Sequence, residues 1–124
     1  MIEYKVKVDE VGTKVWYLNG QLHRDDGPSI EFTNGNKYWY LNDKRHREDG
    51  PAIEFANGNK YWYLNDKRHR EDGPAIEYAN GDKSWFLNGK RLTEKEFNNR
   101  TQVQELTIKE LEAKLGYKIK VVGE

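Results

Sequence analysis

The chain has 124 residues, with Lys+Arg and Asp+Glu both at 21, so its formal net charge is zero. That balance counts against a protein tracking phosphate backbones, which needs a basic stripe, and against a DNA mimic, which needs an acidic excess. Mean hydropathy is only −1.08, yet aromatics make up 13% and recur at a fixed period, unlike disordered chains, which are poor in them.

An ordered single domain with a thin core is therefore expected. There is no cysteine, which excludes disulfides and thiolate metal sites and fits a reducing compartment. The opening MIEYKVKVDE shows no apolar run of a secretory signal, and no stretch approaches the roughly 20 apolar residues of a membrane span. A cytoplasmic location is expected, and membrane association is not.

In chain order, residues 1–11 read as an N-terminal cap strand, with YKVKV (Tyr4–Val8) pairing with the first Trp strand. Its apolar phase is one residue out, which predicts a bulge or longer turn near Val11-Gly12. A block of 23 residues follows: Asn42–Leu64 and Asn65–Leu87 differ at four positions, a looser copy spans Asn19–Leu41, and a truncated one starts at Asn88. Read as strand units, the repeats run about 16–38, 39–61 and 62–84, with a partial copy at 85–92. Such a period means an array of supersecondary units.

Within a repeat, Lys37–Leu41 and Ala52–Phe55 are β-prone. Polar Asn42–Glu48 and then Asp49-Gly50-Pro51 separate them, and Asn57-Gly58 is a hairpin turn signal. Turns at both strand ends predict an antiparallel meander of about eight short strands, because parallel pairing needs crossovers of about a dozen residues. The fold class is mainly β. One repeat buries too little apolar surface to offset its ordering entropy, so neighbours must share a core.

Period-two alternation places Trp39 and Leu41 on one face, Tyr38 and Tyr40 on the other. The simplest register joins Ile53 and Phe55 to the Trp face. The expected repeat core is then Trp16, Trp39, Trp62 and Trp85; Leu18, Leu41, Leu64 and Leu87; and Ile30, Ile53 and Ile76. The opposite face would carry Tyr17, Tyr38, Tyr40, Tyr61, Tyr63 and Phe86 with Glu31, Glu54 and Glu77. Residues 93–124 form a C-terminal cap of helix plus strand. Thr93–Glu96 and Thr107–Glu110 are capping boxes, Gly116 a C-cap, and Tyr117–Val122 a last strand. This tail is expected to cover the apolar face or seal the sheet edge.

Tyr40-Leu41-Asn42-Asp43-Lys44-Arg45-His46 and Tyr17-Leu18-Asn19-Gly20-Gln21-Leu22-His23 resemble the Trp-x-Asn-Gly-Lys-x-His part of the MORN repeat, a β-hairpin unit of similar length. The resemblance covers about residues 12–92 and departs at the Gly-x-Gly element, where Arg47-Glu48-Asp49 precede a displaced Gly50-Pro51. The chain is similar to the MORN-like variant marked LNGxxHRxDGPA, found in small uncharacterised proteins of tailed phages and their bacterial hosts. The resemblance implies a tandem-repeat β-sheet acting as a platform for protein–protein interaction. By analogy with phage proteins, it implies a viral inhibitor of a host-defence protein, such as a CRISPR effector, working in the host cytoplasm.

His23, His46 and His69 occur once per repeat. Equivalent positions two strands apart lie about 9–10 Å from each other, whereas donors sharing one zinc ion lie within roughly 3.5 Å. They are read as turn residues, with no metal and no cofactor. Charged residues repeated in equivalent settings make no unique catalytic centre, so no enzyme is expected. The candidate partner-binding residues are Tyr17, Tyr38, Tyr40, Tyr61 and Tyr63, with Arg45, Arg47, Arg68 and Arg70 as a rim, since Tyr and Arg are favoured at interface hot spots. The bland alternative is that the Tyr pairs only stiffen a solvated sheet. A protein partner is expected, with no strong nucleic-acid binding. The competing readings are an anionic lipid or membrane-surface module, and a structural or assembly protein that pairs as a homodimer.

Overall fold

The computed structural model describes residues 3–100, 107–116 and 118. Among them the chain begins β1 (Lys5–Val8), β2 (Lys14–Leu18), β3 (Gln21–Leu22). Two copies of a four-strand set follow: β4–β7 (Ile30–Glu31, Lys37–Tyr38, Tyr40–Leu41, Lys44–Arg45) and β8–β11 (Ile53–Glu54, Lys60–Tyr61, Tyr63–Leu64, Lys67–Arg68). The series ends β12 (Ile76–Glu77), β13 (Lys83–Leu87), β14 (Lys90–Leu92), α1 (Glu94–Arg100) and α2 (Ile108–Leu115).

The meander is the one expected. The main sheet runs β1-β2-β4-β5-β8-β9-β12-β13-β14 with β3 on β2, and all its pairs are antiparallel. The strands are shorter and more numerous than expected because each central Trp splits one strand into two. Trp39 donates its N–H to the Ala52 carbonyl at 2.7 Å and accepts from the His46 N–H at 3.1 Å. The chain thereby leaves the main ladder and enters the separate β6–β7 hairpin. Trp62 repeats both bonds, to Ala75 and His69.

The small hairpins are tied to one another. Arg24 N–H donates to Tyr40 O and Asp43 N–H to Leu22 O; Arg47 to Tyr63 and Asp66 to Arg45 repeat the pattern one unit on. Their turns need left-handed backbone: φ is 49° at Asn42 and 65° at Asp43. Asp43 is a strained choice where glycine would fit, but its carboxylate accepts the Leu22 N–H at 2.7 Å. At Asp66 the carboxylate takes Arg45 in the same way.

The register overturns the face assignment. Directly paired residues share a face. Lys14, Glu31, Lys37, Glu54, Lys60, Glu77 and Lys83 form one cross-strand row of alternating charge. The row beside it is Val15, Ile30, Tyr38, Ile53, Tyr61, Ile76 and Ser84. The isoleucines therefore share a face with Tyr38 and Tyr61, and the glutamates lie opposite them. A one-residue slip reverses every side chain, and opposing each Glu with two Lys favours this register over one that opposes Glu with Tyr.

Ile53 (9% exposed) and Ile76 (3%) are buried. Phe32, Tyr38, Phe55, Tyr61 and Tyr78 pack edge to face along them, with centroids 5.2–6.1 Å apart. The four Trp and the four Leu expected in the core are half-buried, as is Ile30.

At the N-terminal end the longer turn is present. Asp9 accepts the Val11 and Thr13 N–H groups through its carboxylate, and Gly12 sits at φ 96°. Tyr4 stacks on His23 and donates to Asp25. At the other end Leu92 and Thr93 stand where the earlier repeats have His69 and Arg70, and the repeat stops. Thr93 instead caps α1: its hydroxyl accepts the Glu96 N–H while Glu96 accepts the Thr93 N–H. Phe97 is buried and α1 packs against β13 and β14 at that end of the sheet. The Thr107 capping box and the Gly116 C-cap of α2 are as expected. The strand expected over 117–122 lies outside the described residues, apart from Lys118.

Candidate functional site

Each complete repeat builds an arginine clamp. The Arg47 guanidinium lies 3.9 Å from the Trp39 ring centroid. It donates to Asp49 at 3.0 Å, to Glu54 at 3.1 Å and to the Pro51 carbonyl at 3.1 Å. Arg24 on Trp16 and Arg70 on Trp62 repeat the arrangement. The glycine of each DGP turn is needed here for space: a Cβ on Gly50 would stand 2.9 Å from Arg47 Cζ.

Each histidine ties one repeat to the next. His46 Nδ1 accepts the Asn65 N–H at 2.9 Å, while Nε2 faces Glu48 at 3.5 Å. His23 does the same with Asn42 and Asp25, and His69 with Asn88 and Glu71. The bond fixes the tautomer: Nδ1 carries the lone pair and Nε2 the proton. A general base needs that lone pair free, and here a backbone donor holds it. Among the described residues no group of three or more His, Asp or Glu is arranged to hold a metal ion. Replacing His46 by Ala removes the acceptor and should cost about 1–2 kcal/mol, read as a lower urea midpoint. An unchanged midpoint would show that the bond carries no stability.

Between successive clamps lies a hollow. The first, of ≈ 650 Å³, is lined by Trp39, Leu41 and His46 and flanked by the Asp25–Asp26 and Glu48–Asp49 loops. The second, of ≈ 620 Å³, repeats it with Trp62, Leu64 and His69 between Glu48–Asp49 and Glu71–Asp72. The arginines along both are committed to their clamps. The rim carboxylates project outward, from 54% exposed at Asp25 to 87% at Asp49 and Asp72. The hollows therefore offer an apolar, aromatic lining under an acidic rim.

The residues expected to bind a partner are mostly elsewhere. Tyr63 is 5% exposed and packs with Ala52 and Ile53, and the Arg45 guanidinium covers its ring at 4.2 Å. Tyr40 is half-buried, and that burial raises its phenol above the ordinary value. Tyr38 and Tyr61 belong to the aromatic ladder, and Tyr17 lies under Lys7. Arg45 is bound to Asp66 at 2.6 Å; Arg68 is exposed and lies against Phe86. Arg47 and Arg70 are clamp residues and belong to no free rim. The rim carboxylates were missed, although the acidic doublet after each His-Arg was visible in the sequence.

Two carboxylates report on the ion pairs, Asp26 in a clamp and Asp66 between hairpins. The Arg24 guanidinium holds Asp26 below the usual carboxylate range, and Arg45 does the same for Asp66. Because the folded values lie below the unfolded ones, the stability they contribute is complete above about pH 5 and is lost as pH falls through the depressed values. The urea midpoint should hold from neutral pH to about pH 5 and then fall, with a shallower fall in Asp66→Asn. A midpoint that rises on acidification would contradict the ion pairing.

No family model, curated protein or solved structure matches the chain.

Proposed function

We propose that this is a non-enzymatic binding protein that engages a partner protein through the row of hollows on its Trp–Arg face. One observation carries the reading: the same hollow occurs twice, with its polar groups paired internally and its rim carboxylates, though partnered on one side, largely exposed on the other. Side chains locked by stacking and ion pairs need little ordering on association, which favours affinity. Equivalent hollows also let one elongated partner gain from several contacts at once.

The acidic rim counts against the anionic-lipid reading, because it repels phosphate headgroups. No helix among the described residues is long and apolar enough to cross a membrane. The phage resemblance makes a bacterial host protein, such as a defence effector, the partner to test first.

The test is affinity capture from bacterial lysate with the wild-type protein and with Glu48→Lys/Glu71→Lys, after showing that both melt alike. Loss of a specific partner with the variant supports the docking face. Equal capture by both removes it, and salt-sensitive flotation with anionic liposomes would favour the lipid reading.

A further inference from the structure

We propose, resting on the protein-binding reading above, that the hollows accept a basic segment in polyproline II conformation with Lys or Arg at every third position. Three observations converge on this ligand.

The first is chemistry. Each hollow sets an indole, a leucine and a histidine between two acidic loops, and the two arginines that also line it are each neutralised within their own clamp, so carboxylates outnumber guanidiniums four to two. An aliphatic stem ending in a cation fits both parts: the stem covers the apolar surface that the clamp arginine leaves open, while the head meets the exposed carboxylates. The protein already makes this contact internally, with Arg47 between Trp39, Asp49 and Glu54.

The second is spacing. One repeat advances the main sheet by two strands, as from β5 to β9 through β8, which is about 9.6 Å at the usual strand separation. Polyproline II has three residues per turn and rises about 3.1 Å per residue, so its repeat is about 9.3 Å.

The third is facing. An extended β-strand covers a similar distance in three residues, but its side chains alternate, so residues three apart point to opposite sides. In polyproline II they point to the same side. An α-helix returns to one face after seven residues, having risen about 10.5 Å, which overshoots the spacing by about 1 Å per hollow. Of the regular conformations, polyproline II matches pitch and facing best.

The glycine and proline of each DGP turn strengthen the fit. Asp26-Gly27-Pro28 and Asp49-Gly50-Pro51 are held by Arg24 and Arg47 through the proline carbonyls. Each acidic wall is therefore held in one conformation before any ligand arrives.

Fluorescence anisotropy with synthetic proline-rich peptides tests the proposal. One peptide carries Arg at every third position, and a second carries the same number at every second position. The first should bind about tenfold more tightly, because the second fills one hollow where the first fills two. Glu48→Gln/Glu71→Gln should abolish the difference; it leaves the clamp arginines and their Asp partners in place, and its melting temperature serves as the folding control. Equal affinities would overturn the spacing claim, as would no measurable binding of either peptide. If both peptides fail while Glu48→Lys/Glu71→Lys still loses a partner captured from lysate, the polyproline claim is wrong and the docking face stands. If that variant also captures as wild type does, both are wrong.

Discussion

Arg47→Ala should lower the stability of the protein by about 2–3 kcal/mol, a large loss for a polar residue in a surface loop. The side chain is only 22% exposed and holds three partners at once. Its removal uncovers Trp39, leaves the Pro51 carbonyl without its donor and takes from Asp49 and Glu54 the guanidinium they share. Arg47→Lys should recover less than half of the loss, because an ammonium cannot lie flat on an indole while donating in several directions. Gly50→Ala should reach a similar end through a different atom, at a cost of about 1–3 kcal/mol, since the new methyl must displace the guanidinium. Urea titrations followed by circular dichroism measure all three. Loss within about 0.5 kcal/mol for Arg47→Ala would mean the arginine is an ordinary surface side chain.

Tyr63→Ala should cost about 3–4 kcal/mol, in the range of large-to-small changes in a packed core. Tyr63 is among the most buried side chains of the array and closes the cluster with Ala52 and Ile53. Tyr63→Phe should be nearly neutral, because the hydroxyl meets only Arg68 Nε, at 3.4 Å. The same pair of variants separates the two roles considered for this residue. A folded Tyr63→Ala that loses a partner would return Tyr63 to the interface; a destabilised one confirms it as core.

The meander, the caps of both helices and the long first turn were legible because each rests on local chemistry. Asn-Gly and Asn-Asp dictate tight turns, Thr93 and Thr107 announce helix starts, and Asp9 precedes a turn that its carboxylate can satisfy. The faces were not legible, because alternation gives two sets per strand and does not say which sets of neighbouring strands meet. That choice depends on Glu54 opposing Lys37 and Lys60 across the sheet, a long-range pairing. The split at each Trp was hidden for a similar reason: Trp39 has strand propensity, but its carbonyl is taken by His46, seven positions on. The histidines read as turn residues, but the bond each makes reaches the next repeat, 19 residues on, which no local pattern announces. Arginine next to acid in a loop reads equally well as a solvated rim or a closed clamp, and only the position of the Trp ring decides between them.

The most direct measurement is hydrogen exchange on the protein alone and bound to a captured partner. Protection should appear in the loops at 24–28, 47–51 and 70–74 and be absent from the turns at 33–36, 56–59 and 79–82, because the hollows open between the former. Protection confined to the latter turns, or to the aromatic ladder of Tyr38 and Tyr61, would place the binding surface elsewhere and contradict the Trp–Arg face.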